Sequence, residues 1–130
     1  MDTYPINNPV LKFAARPVDA NSGGDMFGGW LMSQMDIAGA IATASITESR
    51  FCTGSVEKLR FIKPIMVHDY VEIHAKISKV KAHSVRVEME VLHSNRANLG
   101  SWQRAATGVY VYVAISRLGK ACKLELRAPS

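Results

Sequence analysis

A chain of 130 residues and 14.3 kDa has room for one hydrophobic core and not for two. Its 48% hydrophobic and 21% charged residues exclude disorder, and two cysteines, Cys52 and Cys122, are too few to read as a disulfide framework or a metal cluster. The net charge of +5 is uneven: residues 1–49 carry two basic and five acidic side chains, residues 50–130 fourteen and six, and such a basic half suits nucleic acid, phospholipid or a phosphorylated small molecule.

The first residues, MDTYPINNPV, have neither a basic n-region nor an apolar h-region, so a cytoplasmic rather than a secreted protein is expected. Val10–Arg16 reads as a short strand. From Met26 to Thr47 the only ionisable side chain is Asp36. That length could span a bilayer, but Ser33, Gln34, Asp36 and three glycines argue against insertion. The segment is expected to form a helix starting near Phe27–Trp30 and ending near Thr47. Being apolar on nearly all sides, it must be surrounded by protein.

Four strands follow. Phe51–Ile62 carries Val56, Leu59 and Phe61 and stops at Pro64. In Asp69–Lys79, Val71, Ile73, Ala75 and Ile77 alternate with Glu72, His74, Lys76 and Ser78. Ser84–His93 sets Val85, Val87, Met89 and Val91 against Arg86, Glu88 and Glu90. In Gln103–Ile115 the spacing places Val109, Val111, Val113 and Ile115 on the buried face and Tyr110 and Tyr112 on the other. Strand, long helix, four strands: the economical packing is an α+β single domain over 1–130, an antiparallel sheet curled around one central helix. Residues 117–130 read as a basic tail.

Several chemistries are excluded by what is missing. The stretch from Gly24 to Gly29 resembles half a phosphate loop, but Trp30 and Leu31 stand where Lys and Ser or Thr are required. Ser33 lacks the setting of a nucleophile elbow. His68, His74, His83 and His93 have no metal-ligand spacing and read as surface or strand-edge residues. Asp36 needs an explanation, because a carboxylate in an apolar helix costs several kcal/mol unless paired. Gly29, Ser33, Asp36, Ala40 and Thr43 fall on one small, polar face where a ligand or a second backbone can approach. Either Asp36 satisfies a neighbouring backbone group, or it is a general base or nucleophile. Gly28 and Gly29 stand at the helix start, where backbone N–H groups can hold a developing oxyanion. Taken alone, they suit close helix–sheet packing equally well.

The run from Asp19 to Ala40, DANSGGDMFGGWLMSQMDIAGA, resembles the signature of the YciA-type acyl-CoA thioesterases of the hotdog superfamily. Phe61-Ile-Lys-Pro64, Val67-His-Asp69, Ser84-Val85 and Gln103-Arg104 match it further, over roughly residues 10–120. The resemblance implies a hotdog fold and acyl-CoA hydrolysis with no cofactor, coenzyme A being part of the substrate. It implies Asp36 as the catalytic carboxylate and Asn21 as the loop residue facing the thioester. Gly28 and Gly29 become the helix-start amides that polarise the carbonyl. It also implies a homo-oligomer, a trimer of dimers, with helix and asparagine loop meeting across a dimer interface. Gly23 and Ala38 depart from the family pattern and bear on chain-length preference.

Coenzyme A carries a diphosphate and a 3′-phosphate, which gives the basic half an anionic partner. Arg60 and Lys63 after the helix, and Lys81, His83 and Ser84 at the next hairpin, are the candidate phosphate ligands. Two other readings compete. A non-catalytic acyl-CoA-binding module has no need to keep Asp36 and Asn21 together. A nucleic-acid-binding domain has only Tyr110 and Tyr112 as paired aromatics and no accompanying motif. A hydratase would present a histidine near the helix, and none occurs before residue 68.

Overall fold

In a computed structural model describing residues 8–128, five strands and one long helix form two layers. The first seven residues, most of the stretch read for a leader, and the last two residues of the expected tail lie outside the described residues. The strands are β1 (Leu11–Ala14), β2 (Phe51–Phe61), β3 (Tyr70–Val80), β4 (Ser84–Ser94) and β5 (Gln103–Ala114), and the helix is α1 (Gly28–Ala44). All pairings are antiparallel, in the order β1-β3-β4-β5-β2.

The helix lies on the inner face of the sheet. Leu31, Met35, Ala38, Gly39 and Thr43 recur at helical spacing and are its buried residues. They meet the inward side chains of the strands: Val71 and Ile73 from β3, and Val85, Val87, Met89 and Val91 from β4. The expected alternation of β3 and β4 is therefore the observed one. β5 is turned the other way: Tyr110 and Tyr112 are each 1% exposed and belong to the core. Their cross-strand partners are Val87 and Val85, and partners across a ladder share a face. With both faces of a central strand carrying valine or tyrosine, parity is set by register. The two tyrosines thus offer no exposed stacking surface.

Further expectations are corrected. The helix ends at Ala44 rather than near Thr47, and the described residues of one chain do not enclose it: Ile37 and Ile41 are almost half exposed. The residues after it turn to meet the chain's end. The expected basic tail does not trail from the domain: residues 115–128 fold back over the body. Cys122 and Leu124 donate backbone N–H bonds to the carbonyls of Ala114 and Ala82, and Leu124 enters the core. Thr47 bridges to Leu126, and Thr47 Oγ1 donates to the Glu125 carbonyl. Arg127 Nε donates to the Ala44 carbonyl at 2.9 Å, placing a cation at the negative end of the helix.

At the far edge, β2 is broken by two register shifts, at Thr53/Ser55 and Glu57/Arg60. Gly54 fills the first; a Cβ there would stand 2.6 Å from Val113 Cγ2. Lys58, at φ 50°, sits in the second with a left-handed backbone rare for a non-glycine residue.

The fold-back segment is a structural strap. Replacing Leu124 by Ala should destabilise the chain by about 2–5 kcal/mol, the usual range for truncating a buried leucine. Urea unfolding measures it, and a loss under about 0.5 kcal/mol, the scale of surface substitutions, would mean that the strap is not part of the core.

Candidate active site

Asp36 sits halfway along α1, on the turn facing β2 and β5, and it is half-buried. Thr53 Oγ1 donates to Asp36 Oδ1 at 2.6 Å. Tyr112 Oη lies 2.7 Å from the Asp36 carbonyl oxygen and 3.1 Å from Oδ1. The carboxylate is thereby paired, which removes the penalty of leaving it unsatisfied in apolar surroundings. Its Oδ1 is anchored from two strands, and Oδ2 remains for chemistry. A cavity of about 190 Å³ opens here, lined by Asp36, Ile37, Ala40, Phe51, Cys52, Thr53 and Tyr112.

A second cavity, of about 390 Å³, opens at the helix start between Phe27, Gly28, Leu31, Phe61, Lys63 and Ile65. Phe27 is the N-cap and provides no side-chain cap, so the first helical N–H groups depend on other acceptors. Gly28 and Gly29 are exposed, and a Cβ at Gly28 would stand 3.3 Å from the Phe61 ring. The Gly28 and Gly29 positions lie eight and seven residues ahead of Asp36, about 10–12 Å at the ~1.5 Å rise of a helix. One thioester carbonyl cannot touch both ends of that interval.

Asn21 lies in the loop before the helix. Its Oδ1 accepts the N–H groups of Gly23 at 2.9 Å and Asp25 at 3.1 Å, an Asx turn. With that oxygen engaged by its own loop, the Nδ2 amide is the group suited to donate to a carbonyl. Asn21 lines neither cavity.

The five candidate phosphate ligands occupy three places. Lys63 is at the helix-start cavity and contacts Gln103 Oε1. Arg60 lines a cleft of about 540 Å³ on the outer face of the sheet, with His74, Lys76, Glu88 and Arg104. Lys81, His83 and Ser84 form the β3–β4 turn beside the strap, where the Lys81 N–H donates to the Ser84 carbonyl and His83 Nδ1 lies 2.9 Å from the Cys122 carbonyl. A 17-residue helix is about 25 Å long, so this turn and Lys63 mark opposite ends of the subunit.

Two of the histidines are more than surface residues. His74 Nε2 lies 3.0 Å from Oε1 of the fully buried Glu72, and His93 Nδ1 lies 3.0 Å from Oδ2 of the buried Asp69. Among the described residues no group of three or more His, Cys, Asp and Glu could hold a metal ion, and no helix is long and apolar enough to cross a membrane.

Sequence reasoning missed Thr53 and the tyrosines. The alternation of Phe51 and Thr53 on one face of a strand was the available signal for Thr53. For the tyrosines it was the run of apolar residues at both parities of β5.

A family model described as the thioesterase superfamily matches residues 23–98. The acyl-CoA thioester hydrolase YciA of Salmonella typhimurium is 39% identical over 122 residues, 92% of either chain. A hexameric thioesterase from Yersinia pestis is 38% identical, with a TM-score of 0.84, covering 94% of this chain and 98% of that one. A hexameric hotdog fold thioesterase of Campylobacter jejuni is 34% identical, with a TM-score of 0.81 and 90% of each chain covered. The helix cradled in an antiparallel sheet is thus the hotdog fold. The chain belongs to the thioesterase superfamily.

Burial holds the phenols in the protonated, hydrogen-bond-donating form, with the Asp36 charge adding to it: Tyr110 is pushed up from 10.0 to about 12, and Tyr112 is also raised. Unfolded phenols ionise near pH 10, so this stabilisation is complete below about pH 10 and falls as the pH rises through about 12. Melting temperature followed across that window should decline, and Tyr110→Phe should decline less steeply. Equal slopes would show that Tyr110 does not titrate differently on unfolding.

Proposed function

We propose that this protein hydrolyses the thioester of acyl-CoA to the free acid and coenzyme A, with Asp36 as the catalytic carboxylate. The observation that carries the proposal is the anchoring of Asp36 Oδ1 by two hydroxyls at a cavity, which leaves Oδ2 to act. Asp36 either takes a proton from water as the water attacks the carbonyl carbon, or attacks that carbon itself and is released by water from the anhydride. On both routes the carbonyl π electrons move to oxygen, the C–S bond then breaks, and the thiolate leaves to be protonated. Donors are needed at the oxyanion, and the Gly28 and Gly29 amides and Asn21 Nδ2 are the groups of the right chemistry. No step calls on a metal or cofactor.

Support comes from the relatives. In the acyl-CoA hydrolase of Staphylococcus aureus, 25% identical with a TM-score of 0.77, solved variants replace an aspartate and a threonine 17 positions after it. Asp36 and Thr53 stand at the same spacing and are hydrogen-bonded here. The hexameric relatives support a homo-oligomer, which we place in the cytoplasm as a trimer of dimers of one domain spanning 1–130. The 10–12 Å between the helix-start amides and Asp36 is bridged if each site draws its amides and its Asn21 loop from a second subunit. Such pairing also covers the exposed Ile37–Ile41 face. Across such an interface Arg60, Lys63, Lys81, His83 and Ser84 are proposed to share the phosphates of coenzyme A.

A panel of short, long and aromatic acyl-CoAs should release free thiol, and Asp36→Asn should lower turnover by ~10²–10⁴-fold in a folded oligomer. A loss below about fivefold would remove Asp36 from the catalytic role. Sharing is tested by mixing inactive Asp36→Asn and Asn21→Ala subunits under exchange. In a shared site each mixed dimer regains one site with both native residues, and activity returns. Demonstrated exchange without recovery would place both residues in one subunit's site.

A further inference from the structure

Tyr110 and Tyr112 lie two residues apart on one face of β5, and their hydroxyls meet helix residues four apart. Tyr110 Oη donates to the Met32 carbonyl at 2.8 Å, and Tyr112 Oη to the Asp36 carbonyl at 2.7 Å. Two residues of strand rise about 6.8 Å and four of helix about 6 Å, so the two bonds form a ladder that sets the helix on the sheet. The rungs differ in one respect. Only Tyr112 also reaches a catalytic atom, Asp36 Oδ1 at 3.1 Å.

We infer that Tyr112 is a positioning residue for the Asp36 carboxylate, and that Gly39 supplies the space that lets its phenol reach there. This rests on the thioesterase reading of the site. A Cβ on Gly39 would stand 2.1 Å from Tyr112 Oη and 2.7 Å from Cε2 and Cζ, and the ring, 1% exposed, has no solvent to retreat into. A glycine in mid-helix weakens the helix, so its place one turn after Asp36 is accounted for by this approach. From β2, Thr53 holds the same Oδ1 at 2.6 Å. Thr53 donates to Oδ1, and the single Tyr112 O–H, shared between the Asp36 carbonyl and Oδ1, adds a second contact, so that the carboxylate's rotation is fixed and Oδ2 is aimed. Phe51 closes the edge of the Tyr112 ring at a centroid separation of 5.7 Å, so the phenol is itself held. The titratable groups facing Asp36 are the two tyrosines of β5 and Cys52, which lines the same cavity from β2.

The two tyrosines make the experiment self-controlled, because each loses one buried hydroxyl from a helix carbonyl on conversion to Phe. Tyr112→Phe should lower kcat by about tenfold or more with KM within about twofold, as misaiming a reacting group does, while Tyr110→Phe keeps kcat within about twofold. In an Asp36→Asn background Tyr112→Phe should have no further effect, since it acts only through that carboxylate. Gly39→Ala, which displaces the ring with its hydroxyl intact, should reproduce the kcat loss. A readout independent of turnover is the Asp36 carboxylate infrared band, assigned by its disappearance in Asp36→Asn. Tyr112→Phe should shift it and Tyr110→Phe should not. Equal kinetic effects of the two tyrosine variants, an undiminished loss in the Asp36→Asn background, or an unmoved band would each overturn the inference. If the native protein releases no thiol, the thioesterase reading falls, and the infrared comparison still decides whether Tyr112 sets the carboxylate.

Discussion

A 17-residue helix with a single ionisable side chain cannot face water on every side, and a five-stranded sheet can shield only one. The rest of the molecule follows from that constraint. The inner face of the sheet takes Leu31, Met35, Ala38 and Gly39, so its strands present valine, isoleucine, methionine and tyrosine toward the helix. The helix ends need separate cover. At the C-terminal end residues 115–128 return to supply it, with Leu124 in the core and Arg127 at the last carbonyls. The side carrying Ile37 and Ile41 has no cover among the described residues, and a contact that buries it is favourable through the same apolar burial that seats the other side.

How far the sequence could be read depended on how local each signal was. The helix and the four long strands were legible because each carries its own periodicity, and Asp36 was legible because a lone charge in an apolar run stands out. The orientation of β5 was not. Val109 is almost as buried as Tyr110, so a strand apolar on both faces has no polar parity to read, and only its pairing with Val85 and Val87 decides it. Thr53 and Tyr112 were missed for a related reason: they reach Asp36 from 17 and 76 residues away, through registers set by β-bulges and cross-strand pairs. Residues 117–130 mix basic and apolar side chains, and a basic tail and a strap capping a helix end look alike until the helix end is in view.

Asp36 and its surroundings show how fold stability and chemistry share the same atoms. The hydroxyl that ties β5 to the backbone of α1 also touches the Asp36 carboxylate, on which the proposed chemistry rests. A displacement of the helix along the sheet would therefore misplace Oδ2 as well as unseat the core. Thr53 lies immediately before the Gly54 bulge, where a side chain on the glycine would collide with Val113. The bulge shifts the register of an edge strand at the point where one of its side chains must turn inward to a helix. Two irregular positions of the fold, Gly39 in mid-helix and Gly54 in the strand, lie beside contacts to Asp36.

The helix-start amides form a region favourable to negative charge, and Asp36, 10–12 Å along the same helix, is the one carboxylate of that helix. If both acted on one carbonyl within a single chain, the anion-stabilising and proton-accepting groups would be too far apart to cooperate. If they stood adjacent, the amides would stabilise the Asp36 carboxylate itself and blunt it as a base. The proposed shared site, which separates them along a helix and reunites them between two subunits, avoids both outcomes. In that arrangement the carboxylate and the amide donors stay apart until a thioester lies between them.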